Sequence, residues 1–484
     1  MNLSSMTAAK IASDVRGGAL LASDAAAAFL KLSDELEPAL NALLHIDKGR
    51  VEKADGARRG DLSGVPVLMD DGLCVRGMPT TCASRMLEGW VAPYDSAAVE
   101  LLEASGAVIC GKCNMDEFSV GCSTESSAFG AASNPHDTER TPGGSAGGCA
   151  AAVAAGYAPL AFASDTGGSL LQPASFCGVY GLRPTYGLVS RWGATSLAPS
   201  MDQLGVFSRT VEDAAIALSV VSRPDPRDET SDRRERPDYV ASCRSAAGEG
   251  NLAGKRIAIV TEVKSESLSS DVAEAFERVV SLCGKEGAEI IELSLPVSFT
   301  YSMPCFQMLL AAEAGSSLAR FDGIRYGLSA EADSLAALYL NSRAAGFGME
   351  AKRTIAAGTY ILGSERYEDC YLRASSVRSM IAREFADAFM KCDLIVLPTT
   401  PSVAFRKGEY DGDPFGMCRS QAFTIQASLA SLPSLTMNGA DRAGLPAGVQ
   451  FIAPKWGEAG LLAAASVIER SIGPAQIATQ ERGR

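Results

Sequence analysis

Residues 142–149 read P-G-G-S-A-G-G-C, and residues 164–176 read S-D-T-G-G-S-L-L-Q-P-A-S-F. Each piece sets a serine among glycines, Ser145 in the first and Ser169 in the second, 24 residues apart. Glycines let backbone N–H groups crowd around a serine, which is what stabilising a developing oxyanion requires. In D-T-G-G-S the amides of Thr166, Gly167 and Gly168 stand beside Ser169 and form the candidate oxyanion hole. A glycine-rich turn can also cradle phosphate. Neither piece, however, matches G-x-x-x-x-G-K-[ST] or G-x-G-x-x-G, and neither contains Lys or Arg. The pattern favours acyl transfer by a nucleophile and a helper.

A serine nucleophile ordinarily hands its proton to histidine, and the chain has only His45 and His136. His45 falls in a helical N-A-L-L-H-I-D and His136 in a loop N-P-H-D, and both read as structural residues. The base must be another residue type.

Outward from the serines, the pattern alternates strand and helix. V-P-V-L-M (65–69), A-V-I-C-G (107–111) and L-A-F-A-S-D (160–165) read as strands, and 96–106 as a helix ending at its glycine. G-G-C-A-A-A-V-A-A-G from Gly147 is a helix of small residues. The first 60 residues are amphipathic helices, with Ser23 or Asp24 as an N-cap. Later strands are expected at 256–262, 288–293, 393–401 and 447–453, with a helix over 270–286. Residues 223–252, rich in proline and charges of both signs, read as an exposed excursion. Alternation implies an α/β fold with a largely parallel sheet covered on both faces. The late strands look like returns to the first sheet, so we expect one domain over 1–484. Its parts are N-terminal helices (1–60), a core with both serines (61–222), an exposed loop with an inserted α/β segment (223–380), and a C-terminal return (381–484).

Bulk properties narrow the function. The chain has 484 residues, 47% apolar and 21% charged, with no run of eighteen apolar residues, so no membrane helix is expected. The N-terminus lacks a basic region followed by an apolar core, and a cytoplasmic location is expected. A net charge of −13 repels phosphate backbones, so the chain is not expected to grip nucleic acid unaided. The thirteen cysteines are irregularly spaced and read as free thiols. The C-x-x-C of Cys110 and Cys113 lacks a second pair to complete a metal site.

The two serine pieces, continued as C-G-V-Y-G-L-R-P-T-Y-G, closely resemble the amidase signature family. Within it, G-K-C-N-M-D-E-F-S-V-G-C-S-T-E-S-S (111–127), S-M-D-Q-L-G-V-F-S-R-T-V-E-D-A-A (200–215), L-P-T-T-P and G-L-P-A-G-V-Q-F-I resemble the A-subunit branch of tRNA-dependent amidotransferases. The resemblance implies an amidase-signature fold with a large mixed central sheet. It also implies Ser169 as nucleophile, Ser145 after a cis peptide as proton relay, and a lysine as base. The implied reaction is the ATP-dependent conversion of Glu-tRNA(Gln) to Gln-tRNA(Gln) with ammonia from glutamine. The implied partners are a B subunit, which holds the tRNA, ATP and a divalent metal, and a small C subunit, completing a heterotrimer. No cofactor is implied for this chain itself.

The lysine position of the family motif G-[IV]-P-[IV]-x-[IV]-K-D falls on Asp70 in G-V-P-V-L-M-D-D. Aspartate is about 3 Å shorter than lysine, and its anion opposes an oxyanion. A loss of roughly 10²–10⁴-fold in glutaminase rate is expected, the usual range for one acid–base group. Leu171 and Ala146 also depart from the pattern. The arginine and aspartate that would clamp the glutamine α-carboxylate and α-ammonium fall on Thr354, preceded by Arg353, and on Gln421. These replacements weaken recognition of a zwitterion, and the family resemblance then also fits a pseudo-amidase scaffold, an ammonia conduit, or an amidase for an uncharged amide.

Overall fold

In the computed structural model, which describes residues 3–56, 59–440 and 444–478, one sheet runs through the chain. Its strands are β1 (Leu43–Ile46), β2 (Pro66–Asp70), β3 (Val108–Cys113), β4 (Leu160–Asp165), β5 (Tyr180–Arg183), β6 (Gln203–Ser208), β7 (Arg256–Val260), β8 (Glu289–Leu293), β9 (Leu394–Pro398), β10 (Ser434–Asn438) and β11 (Gly448–Ile452). They lie in the order β1-β3-β2-β4-β6-β5-β10-β11-β9-β7-β8.

The sheet is mixed, as the family resemblance implies, and not largely parallel as the alternation of strands and helices alone suggests. Of its ten neighbouring pairs, β2–β3, β2–β4, β7–β8 and β7–β9 are parallel and the other six antiparallel. β10 and β11 follow each other across a short connection, which suits antiparallel pairing, whereas a parallel pair needs a longer crossover. The expected returns are present: β9, β10 and β11 join β5 on one side and the inserted β7–β8 pair on the other.

Alternation along β9 shows why both faces are covered. Leu394 and Val396 enter one apolar core and Ile395 and Leu397 the other, since successive strand side chains leave on opposite faces. β2 and β9 are buried at every residue. Such strands read as unbroken apolar runs, and V-P-V-L-M and L-I-V-L-P do.

Some local expectations are corrected. His45 lies in β1, paired with Lys112 of β3, and not in a helix. The preceding helix Ala22–Leu40 stops at Asn41, whose φ of 47° is left-handed. That helix is capped by neither Ser23 nor Asp24. Its N-cap is Leu21, and the Ser23 N–H and hydroxyl both go to Asp55. The excursion at 223–252 contains a helix, Tyr239–Glu249, with Tyr239 and Cys243 buried in the main core.

The small-residue helix Gly147–Ala154 is buried throughout. A Cβ on Gly148 would lie 2.3 Å from the Asn114 carbonyl oxygen and 2.6 Å from that of Ala42. Backbone atoms cannot yield as a side-chain tip can. We therefore expect Gly148→Ala to destabilise the chain by about 3 kcal/mol, read as a lower urea midpoint. An unchanged midpoint would show that this helix can shift.

Candidate active site

β4 ends at Asp165, the helix Leu171–Cys177 follows, and the turn between them carries Ser169. Asp165 holds this turn. Its Oδ1 accepts from Gly168 N–H at 2.9 Å and from Arg183 Nε at 2.9 Å, and its Oδ2 accepts from Leu170 N–H at 2.7 Å. Arg183 is fully buried and also donates to the carbonyls of Leu432 and Met201. Gly168 has φ +124°, and a Cβ there would lie 2.0 Å from Thr424 Oγ1, so only glycine fits.

One oxyanion-hole expectation is corrected. The Gly168 N–H is spent on Asp165, which leaves Thr166 and Gly167 as the candidate donors. Both line the cavity into which Ser169 opens. Thr166 is anchored through its hydroxyl to Asp202 Oδ1 at 2.8 Å, and the Gly167 carbonyl accepts from Thr424 Oγ1 at 2.8 Å.

Ser145 and Ser169 meet as expected: the Ser145 hydroxyl donates to Ser169 Oγ at 3.1 Å, and the Gly144–Ser145 peptide is cis. Three groups pin that peptide. Gly144 N–H donates to Gln172 Oε1 at 2.9 Å, Gln421 Nε2 donates to the Gly144 carbonyl at 3.0 Å, and Asp116 N–H donates to the Ser145 carbonyl at 3.0 Å. Gln421 is thus a buried brace for the relay serine as well as a lining residue of the cavity. Thr354 lies on the cavity wall, and the neighbouring Arg353 is paired with Glu350 at 2.6 Å. Leu171 and Ala146 are fully buried at the starts of their helices.

The cavity measures about 640 Å³. Beyond the serines its wall is largely apolar, with Phe306, Met308, Met349, Ile361, Phe415 and Ile425. Among the polar lining groups, Cys122 and Cys418 hydrogen-bond each other, and Cys122 also donates to Gln421 Oε1. Cys110 and Cys113 do not act together: Cys110 donates to the Val108 carbonyl, and Cys113 contacts Cys149.

Asp70 is the last residue of β2 and is fully buried. Its Oδ2 accepts from the N–H and the hydroxyl of Ser164, each at 3.4 Å, while its Oδ1 has no hydrogen-bond partner among the described residues. No hydrogen bond joins it to Ser145. A cation does lie nearby: Lys112 of β3, fully buried, donates to Asp71 Oδ1 and the Asp71 carbonyl at 3.3 Å and to Thr80 Oγ1 at 3.2 Å. That ion is committed to Asp71. Burial without a partner of its own pushes the Asp70 carboxyl up to about 7.

Asp165, Arg183, Gln172, Asp116 and Asp202 brace the site, and none was singled out from the sequence. The available signal was an arginine inside an apolar stretch, V-Y-G-L-R-P, since a buried charge needs a partner.

The Asp70 shift has a consequence for stability. Its folded carboxyl binds a proton more tightly than the unfolded one, so its contribution falls as pH rises from the ordinary carboxyl range through about 7. Asp70→Asn removes this dependence. Relative to the parent, the variant should gain on the order of 2 kcal/mol between about pH 5.5 and about pH 8, measured by urea unfolding. Parallel pH profiles for the two proteins would show that the carboxyl is not desolvated.

Comparison with known proteins identifies the family. The Amidase family model matches residues 24–462. The A subunit of the glutamyl-tRNA(Gln) amidotransferase of Trichormus variabilis is 45% identical over 449 residues, covering 90% of this chain and 92% of that one. The crystal structure of the same-named subunit from Thermotoga maritima superposes with a TM-score of 0.80 at 34% identity, covering 97% of this chain and 95% of that one. The native peptide amidase of Stenotrophomonas maltophilia superposes with a TM-score of 0.82 at 27% identity, covering 98% of each chain. The similarity runs over nearly the full length, and the chain belongs to the amidase family.

Proposed function

We propose that this chain is the A subunit of a glutamyl-tRNA(Gln) amidotransferase. The observation that carries the proposal is the Ser145–Ser169 contact at 3.1 Å, in a chain that is 45% identical to such a subunit over 90% of its length. In this reading Ser169 Oγ attacks the side-chain amide carbon of glutamine as its proton passes to Ser145 and the Ser145 proton moves on toward the leaving nitrogen. The carbonyl oxygen becomes an oxyanion facing the Thr166 and Gly167 amides. Return of a proton to the leaving nitrogen expels ammonia, and water then hydrolyses the ester on Ser169 to release glutamate. The acceptor reaction takes place on a partner B subunit, which binds the tRNA, ATP and a divalent metal, and a C subunit completes the heterotrimer.

The weak point of this cycle is the proton. The Ser145 hydroxyl has no hydrogen bond to Asp70, whose carboxylate meets Ser164 instead. Nor is the large apolar wall of the cavity built to grip a zwitterion: Gln421 is turned to Gly144 and Arg353 to Glu350. Glutamine hydrolysis is therefore slow, and the complex draws its nitrogen from free ammonia.

Co-expression with candidate B and C subunits, followed by transamidation of Glu-tRNA(Gln) with ATP, tests this. Ammonium chloride should support the reaction, and glutamine should do so roughly 10²–10⁴-fold less well. Ser169→Ala should leave the ammonium-driven rate intact. Absence of a complex, or of transamidation with ammonium, would refute membership of the amidotransferase. A normal glutamine-driven rate that Ser169→Ala abolishes would refute the account of Asp70. Asp70→Lys alone should restore little glutaminase activity. Adding Thr354→Arg and Gln421→Asp should restore more, since two returned charge-assisted contacts, each worth about 1.5–3 kcal/mol, outweigh the single Gln421–Gly144 hydrogen bond that is lost. Equal activity of the single and triple variants would show that the clamps are not limiting.

A further inference from the structure

Asp70 has a feature that its failure to reach Ser145 does not explain. A fully buried carboxyl has one oxygen without any partner among the described residues, and the other is held only by two long contacts of 3.4 Å. Ordinary hydrogen bonds to a carboxylate are about 2.5–2.9 Å, so the group is under-coordinated on both sides. Buried polar atoms of this kind mark an ion or water that completes them.

The surroundings favour a small cation. Ser164 Oγ, in contact with Asp70 Oδ2, lies 3.4 Å from Ser119 Oγ, so a carboxylate and two hydroxyls form a continuous run of acceptors. Lys112 cannot serve as the counter-ion while it is committed to Asp71 and Thr80. Access is available as well. Ser164 and Ser119 line a second cavity of about 300 Å³, and Ser119 also lines the cavity of Ser169. The second cavity carries another buried atom unpartnered among the described residues, Gln203 Nε2, as expected of a site that admits water. Ser119 itself holds a left-handed backbone, φ 64°, next to Phe118 at φ 50°. Non-glycine residues in that region cluster at functional positions.

We infer that Asp70, with the hydroxyls of Ser164 and Ser119, forms a binding site for an ammonium ion beside the catalytic serines. Four oxygens, two from the carboxylate and one from each hydroxyl, suit a singly charged ion with four N–H donors. They do not suit calcium, which takes six to eight oxygens. Release as neutral ammonia needs one proton transfer: the ion gives a proton to the Asp70 carboxylate, which becomes the neutral acid, and NH₃ departs. The inference deepens the reading of the chain as an ammonia-handling component of the complex, and rests on it for the biological use of the ion. Binding itself can be tested without partners or tRNA.

The test is thermal unfolding and calorimetric titration of the full chain at about pH 8, using the chlorides of ammonium, potassium, sodium and tetramethylammonium at equal ionic strength. At about ten times its dissociation constant, ammonium should raise the midpoint by about 1–2 °C beyond the other salts, with a matching heat of binding. Asp70→Asn, which keeps the shape of the side chain, should abolish that increment, and Ser164→Ala should reduce it. Equal shifts with all four salts, an equal shift with potassium, or an ammonium increment that survives in Asp70→Asn would each overturn the site. Failure of transamidation alongside ammonium binding would instead overturn membership of the amidotransferase and leave the site standing.

Discussion

The ion pair between Asp165 and Arg183 holds the catalytic region together. Arg183 comes from the end of β5 and is completely buried, and Asp165 closes β4. Through this one contact at 2.9 Å the carboxylate is held where it can accept from the amides of Gly168 and Leu170. The guanidinium reaches on to the carbonyls of Met201 and Leu432. The nucleophile turn, the approach to β6 and the approach to β10 are therefore tied to a single pair of charges. Taking both ions out of water is costly, and such a pair holds only when further hydrogen bonds saturate it. Here those further bonds all go to backbone groups of the segments the pair must position.

Much of the fold could be read from the chain alone, and the failures have physical causes. Fully buried strands such as β2 and β9 announce themselves as unbroken apolar runs. β1 does not, because L-L-H-I is four residues long and follows nineteen helical residues without a proline or glycine between. The mixed strand directions follow from the family resemblance and not from periodicity, which reports which face a residue takes and not which neighbour it pairs with. At the site, the two serines were legible because glycines surround them. Thr354 does reach the cavity wall. Gln421 reaches it too, but its amide is turned to the Gly144 carbonyl, a contact 277 residues away in the chain that no local pattern encodes. Gly168 shows the same limit: its identity marks the turn, whereas the use of its N–H depends on Asp165.

Two buried aspartates, adjacent in sequence, have opposite circumstances. Asp71 faces Lys112 and accepts from Thr81 N–H at 2.9 Å and from Ala83 N–H at 3.2 Å, so its charge is fully answered. Asp70, one residue earlier, has no ion pair of its own among the described residues, since the nearby Lys112 is committed to Asp71. Asp70 closes β2, whereas Asp71 already lies in the turn that follows it. The altered position lies inside an otherwise intact scaffold, which explains how one carboxyl can change the proton chemistry without disturbing the serine contact.

The sheet ends in two open edges, β1 and β8. The sequence of the edge strand β8, E-I-I-E-L, exposes Glu289 and Glu292, one on each face, and charged residues discourage another strand from adding there. The whole chain reinforces this with a net charge of −13 and a pI near 4.9. Solubility therefore depends on the same carboxylates that guard the edge. Near the isoelectric point the long-range repulsion vanishes, and protection of the β8 edge then rests on its local residues alone.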